Sequence, residues 1–240
     1  MKKRSLLKAG LVMHTSAGIL KKLKARGSRK KIEGMARFGI TTERRVGVSV
    51  PEMRRIAKEA GTDHPLAIRL WNSGIPEARI GASMIADPGR MAAAEMDRWV
   101  SEFDSWDVCD QVCMNLFEKT PFARRKIREW ARRDEEYVRR GAYALLACLA
   151  WHDKGAPDTL FTGFLPIIKR GATDERNFVK KAVNWALRNI GKRNPRLNRL
   201  ALRTAKEISR LDAKSARWIG KDAIRELTSD AVQRRIRRLP

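Results

Sequence analysis

Proline and glycine cut this chain into short segments that leave room for helices and little else. Pro51 opens PEMRRIAKEAG, which stops at Gly61; Asp63 caps HPLAIRLWNSG, which stops at Gly74; Pro76 opens PEARIGASMIAD. A proline in the first turn has no N–H to lose, and a glycine past the last turn supplies left-handed backbone. The same signals predict helices over 88–100, from Asp104 or Ser105 through Phe117, from Pro121 through PFARRKIREWARR, and over 135–151 behind an Asp134 cap. Further helices are expected over 160–169, 174–190 and 195–209, and from Ala213 to the end. Only residues 45–50 alternate like a strand, and the run is too short for a sheet.

So many short helices, roughly paired, predict an all-α fold: a curved α-solenoid of HEAT-like helical repeats, forming one domain over 16–240. Stacked pairs of this kind curve, and their concave face suits a long cylindrical ligand. Residues 1–15 read as a basic N-terminal extension, disordered or produced by a start upstream of Met13. Lys8 interrupts its apolar patch and no small-residue cleavage site follows, so it is not read as a signal peptide.

Charge narrows the partner. The 240 residues carry 52 Lys+Arg against 27 Asp+Glu, a net charge of +25, yet 43% are hydrophobic. Such a chain buries a core and still repels itself, which points to a polyanion, nucleic acid before an anionic membrane. No apolar run reaches membrane-spanning length. Cys109, Cys113 and Cys148 fall on apolar helical stripes, an odd number without paired spacing, so reduced thiols in an intracellular protein are expected. His14, His64 and His152 are scattered, and neither a metal nor a cofactor is expected.

Two segments carry the chemistry. In FVKKAVNWALRNIGKRN (178–194), Val179, Ala182, Val183, Ala186, Leu187 and Ile190 form an apolar stripe at 100° per residue. Trp185 lies off that stripe, with Lys181, Arg188 and Lys192 around it, a surface suited to a phosphate backbone and its sugars. In FDSWDVCDQVCMNLF (103–117), Cys109, Val112, Cys113 and Leu116 face the core, and Trp106 and Asp110 sit one turn apart on one flank. That flank makes Asp110 either a shielded catalytic carboxylate or a structural group satisfied by an arginine. Asp104 reads as a helix cap and Asp107 as outward-facing.

Arg140 projects away from the stripe Val138, Ala142, Leu145, Leu146 and Leu149, so it is either a solvated cation or a phosphate clamp. Trp71, Trp99, Trp130, Trp151 and Trp218 mostly continue apolar stripes and are expected to pack in the core or at its edge. The last helix ends in Arg234, Arg235, Arg237 and Arg238, read as a solvated cluster. Phosphate-loop and acyl-transfer patterns are absent.

These residues resemble the HEAT-like-repeat DNA alkylation repair glycosylases (AlkD type). The likeness spans roughly residues 19–221 and is carried by MARFGI (35–40), GVSVPEMRRIAK (47–58), WDVCD (106–110) and VKKAVNWALRNIGKRN (179–194). The resemblance implies that Trp106, Asp110 and Trp185 surround the deoxyribose of a damaged nucleotide. Arg140 would match the family's backbone-contacting arginine, with Arg139 as the neighbouring alternative. Phe38 stands where the family often has a tyrosine, so it keeps the ring and loses one hydrogen bond.

The implied reaction is hydrolysis of the N-glycosidic bond of cationic N3- or N7-alkylated purines in double-stranded DNA, by a monomeric, cytoplasmic, nucleoid-associated enzyme without metal or cofactor. The alkylated base already carries positive charge and leaves neutral, so no general acid is needed. An anionic Asp110 would stabilise the oxocarbenium-like sugar without a deep base pocket. A HEAT-like module that binds branched or distorted nucleic acid without chemistry is the alternative, and a scaffold for an acidic protein the third reading.

Overall fold

The computed structural model describes residues 14–238. Residues 1–13, and with them the Met13 start, lie outside that range. The hydroxyl of Thr15 accepts the Gly18 N–H and caps the first helix. The described chain forms α1 (Ser16–Ala25), α2 (Arg29–Ala36), α3 (Val50–Ala60), α4 (His64–Trp71), α5 (Pro76–Ile85), α6 (Ala93–Ser101), α7 (Trp106–Asn115) and α8 (Ala123–Trp130). It continues as α9 (Glu136–His152), α10 (Asp158–Thr162), α11 (Leu165–Gly171), α12 (Asn177–Gly191), α13 (Pro195–Ile208), α14 (Lys214–Leu227) and α15 (Asp230–Arg237). No strand occurs among the described residues, and 45–49 is a loop leading into α3.

The helices stack as an α-solenoid. In one row α5, α7, α9, α12 and α14 each pack on the next, while α4, α8 and α13 back them from the second layer. Side-chain hydrogen bonds betray the repeat. Contacts 31 residues apart join Val46 to Glu77, His64 to Glu95, and Trp71 to Glu102. Contacts 38 residues apart join Arg140 to Phe178, Asn184 to Asp222, and Arg188 to Glu226. Arg140 meets Phe178 near the start of α9 and Ala147 meets Asn189 nearer its end, so α9 and α12 run parallel, and the shared offset of 38 does the same for α12 and α14.

Tertiary position explains the longest helix. α9 lies among α7, α8 and α12 and is buried on nearly every side, which is why its sequence, GAYALLACLA, is apolar all round. Between the layers Trp71 and Trp99 stack with centroids 3.9 Å apart and planes 8° from parallel. Trp71 Nε1 donates to Glu102 and the nearby Trp130 Nε1 to Asp97, both at 2.8 Å, while Trp99 Nε1 is buried without a partner among the described residues. All three cysteines are buried with free thiols, and burial pushes Cys113 and Cys148 well above the ordinary range.

Helix boundaries depart from the sequence expectation at identifiable places. Pro88 and Pro121 sit in turns, and their helices begin five and two residues later, at Ala93 and Ala123. Glu135, not Asp134, holds the position before α9, and its side chain makes no capping hydrogen bond. The segment 160–169 breaks at Gly163 and Phe164 into α10 and α11, and the C-terminal segment breaks at Thr228 and Ser229, where the Ser229 hydroxyl caps α15. Of the tryptophans expected to pack in the core or at its edge, Trp151 and Trp218 lie at the edge, 40% and 41% exposed.

The loop between α2 and α3 is pinned by a buried acid. The fully buried Glu77 carboxylate accepts the backbone N–H groups of Val46 and Gly47, the latter at 2.8 Å. Gly47 has φ +78°, and a Cβ there would lie 2.2 Å from the Ser28 carbonyl oxygen. Gly47→Ala should therefore cost about 2 kcal/mol or more, read as a lower urea midpoint at unchanged slope.

Candidate functional site

A cleft of about 560 Å³ opens where α7, α9 and α12 lie side by side, and the end of α2 closes it. Trp106 and Asp110 reach it from α7, Arg140 from α9, and Asn177, Phe178, Lys181 and Trp185 from α12; Arg37, Phe38 and Gly39 form the remaining wall. Trp106 and Asp110 share the cleft because they lie four residues apart on one helix.

The N-terminal wall is latched to the start of α7. Trp106 Nε1 donates to the Phe38 carbonyl at 3.0 Å, and Thr41 Oγ1 donates to the Asp104 carbonyl at 2.9 Å. The buried Arg45 guanidinium donates to Asp107 at 2.7 Å and to Ser105 Oγ at 3.4 Å. Asp107 thus faces inward, contrary to the sequence reading, because a cation from the loop is waiting for it. Asp104 does not cap: Ser105 holds that position, and its hydroxyl donates to Asp107 at 2.6 Å. Gly39, at φ +67°, brings the wall against α12, where an added Cβ would lie 3.0 Å from the Phe178 ring.

At the floor, Arg140 holds Asp110 in a two-point grip. Arg140 Nε donates to Oδ1 at 3.0 Å and Nη2 to Oδ2 at 2.7 Å, while Nη1 donates to the Phe178 carbonyl at 2.6 Å. Arg140 is only 5% exposed, so it is no solvated cation. The side of α9 that seemed free in its own sequence is covered by α12. Burial pushes the Asp110 carboxyl above the usual aspartate range, and the charge and hydrogen bonds of Arg140 oppose that rise. The acid is locked by a neighbour, as a structural carboxylate would be, yet it stays in the cleft with both indoles. Each carboxylate oxygen gives one acceptor site to Arg140 and keeps another.

The other basic residues divide. Lys181 and Arg37 stand exposed at the cleft, with no carboxylate within 4 Å among the described residues. Arg188 and Lys192 do not: Glu226 pairs with both, and Asp222 lies 3.5 Å from Arg188. The basic face around Trp185 is therefore neutralised along its C-terminal half by α14. Arg139 is also occupied, donating to Asp174 at 3.0 Å and to Asp134 at 3.3 Å. Trp185 is half-buried and Phe38 is 71% exposed. Sequence reasoning missed Arg37, Asn177 and Phe178, although each adjoins a segment that carried a signal. Among the described residues no group of three His, Cys, Asp or Glu could hold a metal ion.

With the geometry in place, the comparisons with known proteins are specific about kinship. The model of a family described as DNA alkylation repair enzyme matches residues 19–227, and the chain belongs to that family. No curated protein matches it in sequence. Among solved structures it is similar to one described as "a new family of proteins related to the HEAT-like repeat DNA glycosylases with affinity for branched DNA structures". That likeness has a TM-score of 0.74 and 21% identity over 88% of this chain and 95% of the other, and it speaks for the fold. A designed armadillo repeat protein in complex with a (KR)4 peptide has a TM-score of 0.43 and 12% identity, over 88% and 92% of the two chains.

Two outcomes are expected from the ion pairs. Arg140→Ala strands a buried carboxylate and should lower stability by about 3–5 kcal/mol in urea unfolding; adding Asp110→Asn should recover part of that loss. At Asp174, burial pushes the carboxyl up, but Arg176 and Arg139 outweigh it and hold it below the usual range. A depressed native value gives stability that is present above the unfolded value of about 4 and is lost as pH falls through the native one. Asp174→Asn should accordingly flatten the fall of the urea midpoint below about pH 4.

Proposed function

We propose that this protein is an alkylpurine DNA glycosylase, hydrolysing the N-glycosidic bond of N3- or N7-alkylated purines in duplex DNA. One observation carries the reading: Trp106, Asp110 and Trp185, from helices far apart in sequence, line a single cleft with two uncompensated cations, Arg37 and Lys181. That is a place for an electron-poor sugar between phosphates. As the C1′–N bond breaks, its electron pair leaves with the base, which departs neutral because alkylation had given it a positive charge. The sugar acquires oxocarbenium character, and water adds at C1′ and loses a proton.

Asp110 would supply the negative field at that carbon and orient the water through the acceptor sites that Arg140 leaves free. Arg140 fixes the direction of the carboxylate, so no reorganisation is needed as charge develops. The indole faces of Trp106 and Trp185 add their quadrupoles and keep bulk water out. In this reading contacts to sugar and phosphate suffice for a base that leaves unaided, without a deep base pocket. Arg37 and Lys181 take the flanking phosphates, and the protein acts as a monomer without cofactor. Phe38, with its exposed ring beside Trp106, touches the strand without a hydroxyl to donate. Arg139, Arg188 and Lys192 are reserved by carboxylates and position helices rather than DNA.

A second reading, a non-catalytic module for branched DNA, draws on the hold of Arg140 over both oxygens of Asp110 and on the fold shared with a protein of that affinity. Incubation with duplex containing 7-methylguanine, followed by chromatography for free base, separates the two. The glycosylase reading expects base release that falls about 10²–10³-fold in Asp110→Asn with duplex affinity little changed. No release from the unaltered protein, alongside tight binding of a four-way junction, would establish the second reading instead.

A further inference from the structure

A second basic cavity, of about 440 Å³, lies at the opposite end of the same helix pair, beyond the C-termini of α9 and α12. On α9 its Trp151 is eleven residues past Arg140, about 17 Å at 1.5 Å per residue. That separation is roughly five base pairs of B-form DNA at 3.4 Å each.

Three cations converge there, each steadied by a ring. Lys154 Nζ and the Arg235 guanidinium stand 5.1 and 4.5 Å from the centre of the Trp151 indole. Arg193 stacks 4.1 Å over Phe161 and donates to the carbonyls of Ala150 and Ala156 at 2.9 and 3.1 Å. Its Nε is buried and finds no acceptor among the described residues. None of the three has a carboxylate within 4 Å among those residues. The acidic residue in the lining, Asp158, is taken up by Asn194 at 2.8 Å and Arg196 at 3.8 Å, and Lys192 belongs to Glu226. Burial, together with the neighbouring Arg193 and Arg235, holds Lys154 below the usual lysine range, as expected of positive charge with nothing to offset it. Backbone carbonyls take up part of the Arg193 charge, while Lys154 and Arg235 face the cavity from the Trp151 ring, and an anion seated there would meet both.

We infer that Lys154, Arg193 and Arg235, arrayed around Trp151 and Phe161, form a phosphate-binding site that anchors the DNA backbone some five base pairs from the cleft. The choice of DNA as the source of phosphate rests on the reading that the cleft engages DNA, though not on any chemistry there. It also gives the arginine-rich last helix a task, since Arg235 is the member of that cluster placed on an indole.

The test compares the unaltered protein with Lys154→Ala/Arg235→Ala and with Arg234→Ala/Arg237→Ala, which removes the same charge from outside the cavity lining. Each is titrated with a 5′-hydroxyl linear duplex over a salt series and, by calorimetry, with inorganic phosphate; release of 7-methylguanine is measured in parallel. The cavity variant should lower the slope of log K against log salt by about 1–2, more than the control variant does. A slope unchanged from the unaltered protein, with saturable phosphate binding lost only in the cavity variant, assigns the site to free phosphate. Equal slope losses in the two variants, or no loss in either combined with no phosphate binding, overturn the site. Base release absent from the unaltered protein would remove the glycosylase reading and leave this comparison intact.

Discussion

Everything at the cleft depends on one buried ion pair. Taking a carboxylate and a guanidinium out of water costs several kcal/mol for each ion, and their attraction offsets that only when geometry is good and the remaining donors are satisfied. Asp110 and Arg140 meet both conditions: two parallel N–H···O contacts, and a third donor to the Phe178 carbonyl. Since these atoms come from α7, α9 and α12, the pair also fixes three consecutive members of one row. The interaction that holds the row together is the one that aims the acid.

The charge of +25 is not spread as a stripe. Carboxylates of α14 take Arg188 and Lys192 out of play, and Asp174 takes Arg139 and Arg176. Of the cations that line the two cavities, Arg37 and Lys181 at the cleft and Lys154, Arg193 and Arg235 at the far end keep no carboxylate within 4 Å among the described residues. Electrostatics here is as much about which cations the fold silences as about how many the sequence carries.

The fold was legible because proline and glycine act locally: Pro51, Pro76, Pro195, Asp63, Gly61 and Gly74 mark boundaries whatever surrounds them. Pro88 and Pro121 misled because a proline fits a turn as well as a first helical position, and only the packing of α6 and α8 decides between them. Trp106 and Asp110 could be paired from their spacing alone. Arg140, Asp107 and the ion-paired half of the Trp185 face could not. Each is decided by a partner between 30 and 62 residues away, on a helix or loop that a single-helix pattern cannot see. The repeat itself was faint in the letters, since what recurs every 31 or 38 residues is a contact, not a residue type.

One wall of the cleft differs in kind from the others. Helix α2 leaves no side chain fully buried, whereas α9 buries most of its length. Segments with few buried contacts open at a small fraction of the global unfolding free energy. Hydrogen exchange in α2 should then outpace that in α9 and α12, and the Phe38 side of the cleft can yield to a rigid rod while the acid's bed stays fixed. The molecule has a hard floor and a soft rim.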